Sequence, residues 1–98
     1  TGFSDSMRVA HLAEGLGVET VMGNQIDGQV GTACSLAFGA SQRTTSRQAA
    51  ELSNYLDMAD DLLTEPLEIA DGVMPVRTEP GLGIAIDPKK LEYYRKDR

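Results

Sequence analysis

Two aspartates lie where a carboxylate could polarise or orient a bound substrate. Asp27 stands between an apolar residue and a glycine at the start of a run of small residues, NQIDGQVGTACS (24–35), and Asp57 closes a second short apolar segment. If both follow strands of one parallel sheet, their carboxylates share the face on which such folds build active sites. Each could instead satisfy backbone N–H groups at a turn or helix start, and the pattern alone leaves both interpretations open.

Composition excludes several other kinds of chemistry. A single histidine, His11, and a single cysteine, Cys34, cannot form a zinc cluster, and the sequence has no P-loop, HExxH or GxSxG pattern. A net charge of −6 argues against nucleic-acid binding. The longest weakly polar run, 30–40, is far shorter than the roughly 20 residues of a membrane span. One cysteine also excludes an internal disulfide and fits a reducing compartment, so we expect a cytoplasmic protein.

The elements that must position the two acids alternate between helix and strand. Apolar spacings of three and four predict an amphipathic helix over 5–16, with capping oxygens at 4–6 and glycines behind it. The next predicted elements are a buried strand at 18–22, a loop at 24–28, a well-buried helix at 29–40, a short helix at 46–52 and a strand at 54–56. This alternation is typical of α/β architecture with a parallel sheet.

After residue 57 the chain is rich in turn-forming residues and no longer alternates between helix and strand. Asp-Gly between two apolar runs predicts a hairpin, and Asp-Pro predicts an N-cap followed by proline at the first helical position. The predicted elements are, in order, an acidic connector at 60–66, a hairpin turning at Asp71 and Gly72, a turn at 79–81, an extended segment at 81–86, and a helix from Asp87 through Tyr94.

Three stretches carry a resemblance to a known family. They are MRVAHLAEGLGV (7–18), IDGQVGTA (26–33), and DLLTEPLEIADG (61–72) followed by PGLGI (80–84). Over nearly its whole length the chain resembles the C-terminal portion of the mandelate racemase and muconate lactonizing enzymes of the enolase superfamily. The likeness is to the muconate cycloisomerase branch, and the EPLxxxDG spacing followed by PGLG is its most specific feature.

The resemblance implies a fold of two domains. The family combines a modified (β/α)8 barrel with a capping α+β domain, so residues 1–60 are expected to be the last barrel units. Residues 61–98 would be the connector and the tail that returns to the capping domain. Because the chain begins at Thr1 without a methionine and enters a helix at once, we expect a piece of a longer parent.

The resemblance also implies an activity for that parent. Enzymes of this family use Mg²⁺ in reactions at the carbon α to a carboxylate, but their metal-binding acids and catalytic lysines would precede Thr1, so we expect no metal ligand in this chain. Asp27 matches an acid that lies beside the substrate carboxylate and can donate a hydrogen bond when protonated. Asn24, Gln25 and Asp57 are the expected substrate-binding residues. Because Gln25 falls where the racemase branch has its catalytic histidine, a histidine-dependent racemase or dehydratase mechanism is disfavoured.

The expected partners follow from the same resemblance. They are a small carboxylate substrate, the rest of the barrel with its capping domain, and further copies of the parent in a homo-oligomer, with neither nucleic acid nor membrane. The alternative is a non-catalytic α/β structural or interaction module, with Asp27 and Asp57 as turn residues. The sequence preceding Thr1 discriminates between the two, because only an enzyme of this family needs the lysines and metal-binding acids there.

Overall fold

The computed structural model describes residues 2–45 and 47–97. Its helices are α1 (Phe3–Leu16), α2 (Gln29–Ser41), a 3-10 helix (Asn54–Asp57) and α3 (Pro88–Tyr94). Within the described ranges, β pairing consists of three isolated bridges: Gly23 with Glu51 in parallel, and Leu63 with Ile86 and Ala70 with Val73 in antiparallel. The described part of the chain is therefore mostly helical, with extended segments between its helices.

Helix α1 ends as predicted and begins earlier than predicted. Gly17 adopts the left-handed conformation (φ 67°), and its N–H together with that of Val18 returns to the last turn of the helix. At the other end the N-cap is Gly2, without a side-chain cap bond. The predicted capping residues 4–6 lie inside the helix, so that part of the prediction is wrong. His11 is exposed, and the buried face is Ala10 with Ala13.

Helix α2 forms where its small residues predict it, because small side chains let a neighbouring segment approach its backbone. A Cβ at Gly39 would lie only 2.6 Å from Cγ of Met22. Thr32 is fully buried and Ala33 nearly so, whereas Cys34 is half-buried. The helix therefore lies directly against the extended segment that precedes it.

The predicted strand at 18–22 is extended but does not form a buried strand. Thr20 bonds backbone to backbone and hydroxyl to hydroxyl with Thr44, and only Gly23 enters a β bridge. Val18 and Val21 are 53% and 60% exposed. A parallel strand is buried on both faces when strands and helices flank it, and the described residues cover only one side of this segment.

Two short elements predicted before residue 57 are wrong. Ser46 lies outside the described residues, and none of residues 47–52 is helical. The backbone of Glu51 instead bonds to Met22 and Asn24, and this long-range pairing overrides the local helix signal. The predicted strand at 54–56 is a 3-10 helix, in which Leu56 N–H bonds back to Ser53.

A single parallel bridge in the described residues, between Gly23 and Glu51, lies just outside the two segments predicted as strands. Glu51 N–H donates to Met22 O over 2.8 Å, and Asn24 N–H donates to Glu51 O over 3.2 Å, with α2 as the connection between the two segments. The carboxyl ends of both extended segments therefore lie side by side.

The predicted hairpin is a tight turn closed by a single bridge. Asp71 and Gly72 both have positive φ (51° and 76°), as a two-residue turn of this type requires, and Ala70 and Val73 exchange both backbone hydrogen bonds. No ladder extends beyond this pair in the described residues, so the flanking runs are not strands. Farther on, α3 begins as predicted, because the Asp87 carboxylate accepts from the N–H groups of Lys89 and Lys90 and Pro88 occupies the first turn.

A small core joins the two parts of the chain. Its buried residues are Ala33, Tyr55, Leu63 and Leu67, with Val30, Met74, Leu82 and Ile84 packed against them. The connector and tail thus pack on α2 and on the 3-10 helix, while the assignment of 1–60 and 61–98 to separate domains stays a prediction. In the part of the chain described here, no helix combines the length and apolarity that a membrane crossing requires.

Candidate functional site

An open cleft of about 510 Å³ lies at the carboxyl ends of the two paired segments. It is lined by Asn24, Gln25, Ile26, Glu51, Asn54, Asp57 and Met58. Three of the four residues predicted for the site from sequence are therefore brought together, as expected for loops that leave neighbouring parallel segments at the same edge.

A polar network links the two walls of this cleft. The Asn54 side-chain amide donates to the backbone carbonyl of Asn24 over 2.7 Å and to its side-chain oxygen over 3.1 Å. The Asn24 amide in turn donates to the buried hydroxyl of Thr32 in α2 over 3.0 Å. Asn24 thus uses its side chain to connect the loops, and its backbone N–H also pairs with Glu51.

The groups that face solvent at the cleft are two carboxylates, an amide and an apolar side chain. Asp57, Glu51, Gln25 and Ile26 are all exposed, and Ile26 is 89% exposed. Within the described residues, the carboxylates of Asp57 and Glu51 have no hydrogen-bond or ion-pair partner. Such groups are available to orient a polar ligand beside an apolar contact.

Asp27 directly follows Ile26 in the chain and is not among the residues that line this cleft. Its side chain is exposed and packs against the first turn of α2, where a Cβ at Gly31 would lie 3.2 Å from Cβ of Asp27. The N-cap of α2 is Gly28, and Asp27 makes no hydrogen bond to the helix among the described residues. The cap interpretation of Asp27 therefore has no hydrogen bond to support it.

Asp61, not Asp27, is the carboxylate at the start of α2. Its Oδ2 accepts from Gln29 N–H over 2.7 Å, and its Oδ1 accepts from Leu62 N–H over 2.6 Å. The group stands directly over Gly28, where a Cβ would lie 3.1 Å from Oδ2. A negative charge at this end of a helix also interacts favourably with the helix dipole.

A second set of bonds joins the same helix start to the 3-10 helix. The side chain of Gln29 is buried and accepts from Leu67 N–H, and Tyr55 O–H donates to Leu67 O over 2.9 Å. Burial, and next the nearby Glu68 carboxylate, raise the pKa of the Tyr55 hydroxyl above its ordinary value. The hydroxyl therefore stays protonated and remains a donor.

Among residues 2–45 and 47–97, no three His, Cys, Asp or Glu side chains come together as a group that could hold a metal ion. Magnesium is usually bound through one or two carboxylates together with waters and substrate oxygens. The two acids at the cleft, Glu51 and Asp57, are thus not accompanied by a third.

Sequence reasoning missed three residues that shape this region. Glu51 was assigned to a helix, although the exposure of Glu51, burial of Leu52 and exposure of Ser53 follow the alternation of a strand. Asn54 and Asp61 contact residues that precede them by 30 and 32 positions, respectively. No local signal in the sequence points to partners so far away.

The fold and this site define a class of protein. Residues 1–90 match the family described as enolase C-terminal domain-like. The chain belongs to this family, and its resemblance to the muconate cycloisomerase branch is confirmed by the relatives that follow.

A chloromuconate cycloisomerase from Pseudomonas putida is 33% identical over 95 residues, which are 97% of this chain and 25% of that protein. Among solved structures, muconate lactonizing enzyme from Mycobacterium smegmatis superposes with a TM-score of 0.95 at 65% identity, covering 99% of this chain and 27% of that one. The same enzyme complexed with muconolactone gives a TM-score of 0.94 at 65% identity, covering 99% and 26%. The chain spans about a quarter of the length of the relatives that it matches.

Proposed function

We propose that this chain is the C-terminal part of a muconate cycloisomerase, an enzyme that interconverts a muconate and a muconolactone. The observation that supports this most strongly is the 65% identity, over 99% of the chain, to a muconate lactonizing enzyme whose complex holds muconolactone. In the proposed parent, residues 1–60 complete a (β/α)8-type barrel, and residues 61–98 lead back to a capping domain.

The proposed reaction is an isomerisation without a redox step. One carboxylate oxygen of the muconate bonds to an alkene carbon, electron density moves toward the carbon α to the other carboxylate, and that carbon takes up a proton. Negative charge develops on the second carboxylate, where a hydrogen-bond donor or a positive charge stabilises it.

The residues of this chain are proposed to bind and orient that substrate. Asn24, Gln25 and Asp57 line the cleft, with Ile26 as the apolar wall. Gln25 and Asp57 are proposed to supply polar contacts, and Asn24 to hold the two loops of the binding site together. Asp27 follows directly and is proposed to stabilise the substrate carboxylate through a hydrogen bond from its protonated form. Because the cleft is open, the rest of the parent is proposed to close it.

The remaining requirements are proposed to be met outside this chain. Mg²⁺ would supply electrostatic stabilisation in the parent, on ligands that are proposed to precede Thr1. The lysines that exchange the proton would also lie upstream, since Lys89, Lys90 and Lys96 follow the connector. We propose a cytoplasmic homo-oligomer that acts on small carboxylates and binds neither nucleic acid nor membrane.

An assay of the full-length protein tests this function. With Mg²⁺ and cis,cis-muconate, we expect the absorbance of the conjugated diene to fall as muconolactone forms. Mandelate is the matched control substrate, and we expect no racemisation because Gln25 cannot act as a general base. Absence of muconate turnover by a folded, magnesium-loaded protein would contradict the proposal.

A further inference from the structure

We infer that Asp61 is a positioning residue, which holds the first turn of α2 and thereby the Asp27 carboxylate beside the cleft. The inference rests on the proposed function, since it assigns Asp61 a role in the same site. It concerns a residue in the connector that does not line the cleft.

Both oxygens of the Asp61 carboxylate accept hydrogen bonds from backbone N–H groups. Oδ2 accepts from Gln29 N–H and Oδ1 accepts from Leu62 N–H, over 2.7 and 2.6 Å. One carboxylate therefore joins the connector to the start of α2. Bonds of N–H groups to a charged acceptor are among the stronger hydrogen bonds in proteins.

The Asp61 carboxylate occupies the space beside Gly28 that a side chain would fill. Gly28 has φ −69° and ψ 178°, which any residue adopts, so its conformation does not require glycine. A Cβ at Gly28 would, however, lie 3.1 and 3.3 Å from the two Asp61 oxygens. The absent side chain at Gly28 is thus explained by the approach of Asp61.

The first turn of α2 links Asp61 to Asp27. Asp27 immediately precedes Gly28, and its side chain packs on Gly31 in the turn that begins at Gln29. No hydrogen bond among the described residues fixes the Asp27 carboxylate by itself. Its position is therefore set by the backbone from 28 to 31, which Asp61 holds.

Hydrogen bonds link the connector to both walls of the cleft. The buried Gln29 side chain accepts from Leu67 N–H, and Leu67 O accepts from Tyr55, which lies in the same 3-10 helix as Asp57. Residues 61–67 therefore join the loop that contains Asp27 to the turn that contains Asp57.

The neighbouring acid provides a matched control. Asp60 accepts from Lys90 Nζ over 2.6 Å, from Tyr94 O–H over 3.0 Å and from the backbone N–H of Asp61 over 2.8 Å, and makes no bond to α2 among the described residues. It carries the same charge at the adjacent position. Any effect that depends only on an acid in the connector should appear in both Asp60 and Asp61 variants.

The test is a double-variant cycle in the full-length enzyme, with kcat and KM for cis,cis-muconate. We expect Asp61→Ala to lower kcat/KM by about 10- to 100-fold, as misplacement of a group by about 1 Å can do. Asp61→Asn, which keeps one acceptor oxygen, should fall between Asp61→Ala and wild type. In an Asp27→Ala background, Asp61→Ala should cost less than about twofold, because its effect acts through Asp27. Asp60→Ala should stay within about twofold of wild type.

Hydrogen exchange gives a readout that does not depend on activity. Asp61→Ala should speed exchange of the Gln29 amide, whereas Asp60→Ala should not. If Asp61→Ala does not fold, the comparison of Asp61→Asn with Asp60→Asn decides. The inference is overturned if Asp61 variants match Asp60 variants, or if the loss is equally large in the Asp27→Ala background. A wild-type enzyme that does not turn over muconate would instead contradict the proposed function, and exchange at Gln29 would still test the hydrogen bond.

Discussion

At the level of single residues, Gly28 and Gly31 leave space for the side chains of Asp61 and Asp27. Gly31 lies inside a helix, where glycine costs about 1 kcal/mol relative to alanine. Its position opposite the Asp27 side chain gives a reason for that cost. Small residues at the start of α2 therefore do more than let a helix pack, because they also admit two carboxylates.

We expect Asp27→Ala in the full-length enzyme to lower kcat/KM for muconate by about 100-fold, the size of effect seen when one donor to a developing charge is lost. Steady-state kinetics measures it. Asp5→Ala is the control, since Asp5 is exposed in α1 and, among the described residues, bonds to Arg8 alone. A kcat/KM equal to wild type would reduce Asp27 to a structural role.

Gly31→Ala should separate stability from function. The new Cβ would lie 3.2 Å from Cβ of Asp27 and displace that side chain, so we expect kcat/KM to fall by about 10-fold. Helix propensity alone would stabilise the variant by about 1 kcal/mol. Gly15→Ala, which meets nothing within 4 Å, is the control and should leave activity unchanged. Denaturant unfolding and kinetics together measure both effects, and equal activity in the two variants would contradict the role of Gly31.

Among the secondary-structure elements, those set by local signals could be predicted from the sequence, whereas those set by long-range contacts could not. The small residues of α2, the Asp-Gly turn at 71–72 and the cap of α3 by Asp87 were all predictable, because each signal is local. The same holds for the shared edge of the two loops, which follows from parallel connectivity. The strand predicted at 54–56 is wrong, because the Asn54 amide finds its partner at Asn24, 30 positions away, which no local signal indicates.

Helix α3 is held to the connector by a polar cluster of Asp60, Lys90 and Tyr94. The hydrogen bond from Lys90, then the N–H of Asp61 and the Tyr94 hydroxyl, lower the pKa of Asp60. The bond to Asp60 raises the pKa values of Lys90 and Tyr94. Because these groups are solvent-exposed, their contribution to stability should be modest and sensitive to salt.

The cluster of Asp60, Lys90 and Tyr94 should make thermal stability depend on pH, with one limit at acidic pH and one at alkaline pH. The Asp60 contribution is present above its ordinary pKa of 3.8 and is lost as the pH falls through the lowered value. The contributions of Lys90 and Tyr94 are present below 10.5 and 10.0 and are lost as the pH rises through the raised values. We expect wild type to unfold at a higher temperature than Asp60→Asn between these limits, and the difference to shrink outside them. A difference that did not vary with pH, measured by thermal unfolding at low salt, would contradict the ion pair.

At the scale of the whole molecule, many large apolar side chains face outward. Leu12 is 64% exposed, Leu16 69% and Ile26 89%, beside the exposed segment 18–22. Such a surface is unusual for an independent domain. It fits the proposal that the parent covers these residues with the rest of a barrel.

The 98 residues expressed alone should therefore aggregate and lack a cooperative fold. We expect sedimentation to show aggregates, and circular dichroism to show broad, non-cooperative thermal unfolding, because exposed apolar surface and unpaired extended segments favour association. The full-length protein is the control and should unfold cooperatively. A monomeric 98-residue chain with a sharp transition would favour an independent, non-catalytic module.

The bonds between α2 and the connector also bear on the order in which the chain acquires structure. Gln29 meets Asp61 across 32 positions and Leu67 across 38. Closing such loops costs entropy before any contact repays it, so contacts of this separation form late. During synthesis α2 leaves the ribosome well before its capping acid exists. We expect the two walls of the cleft to become ordered together, in one step that follows translation of residue 67.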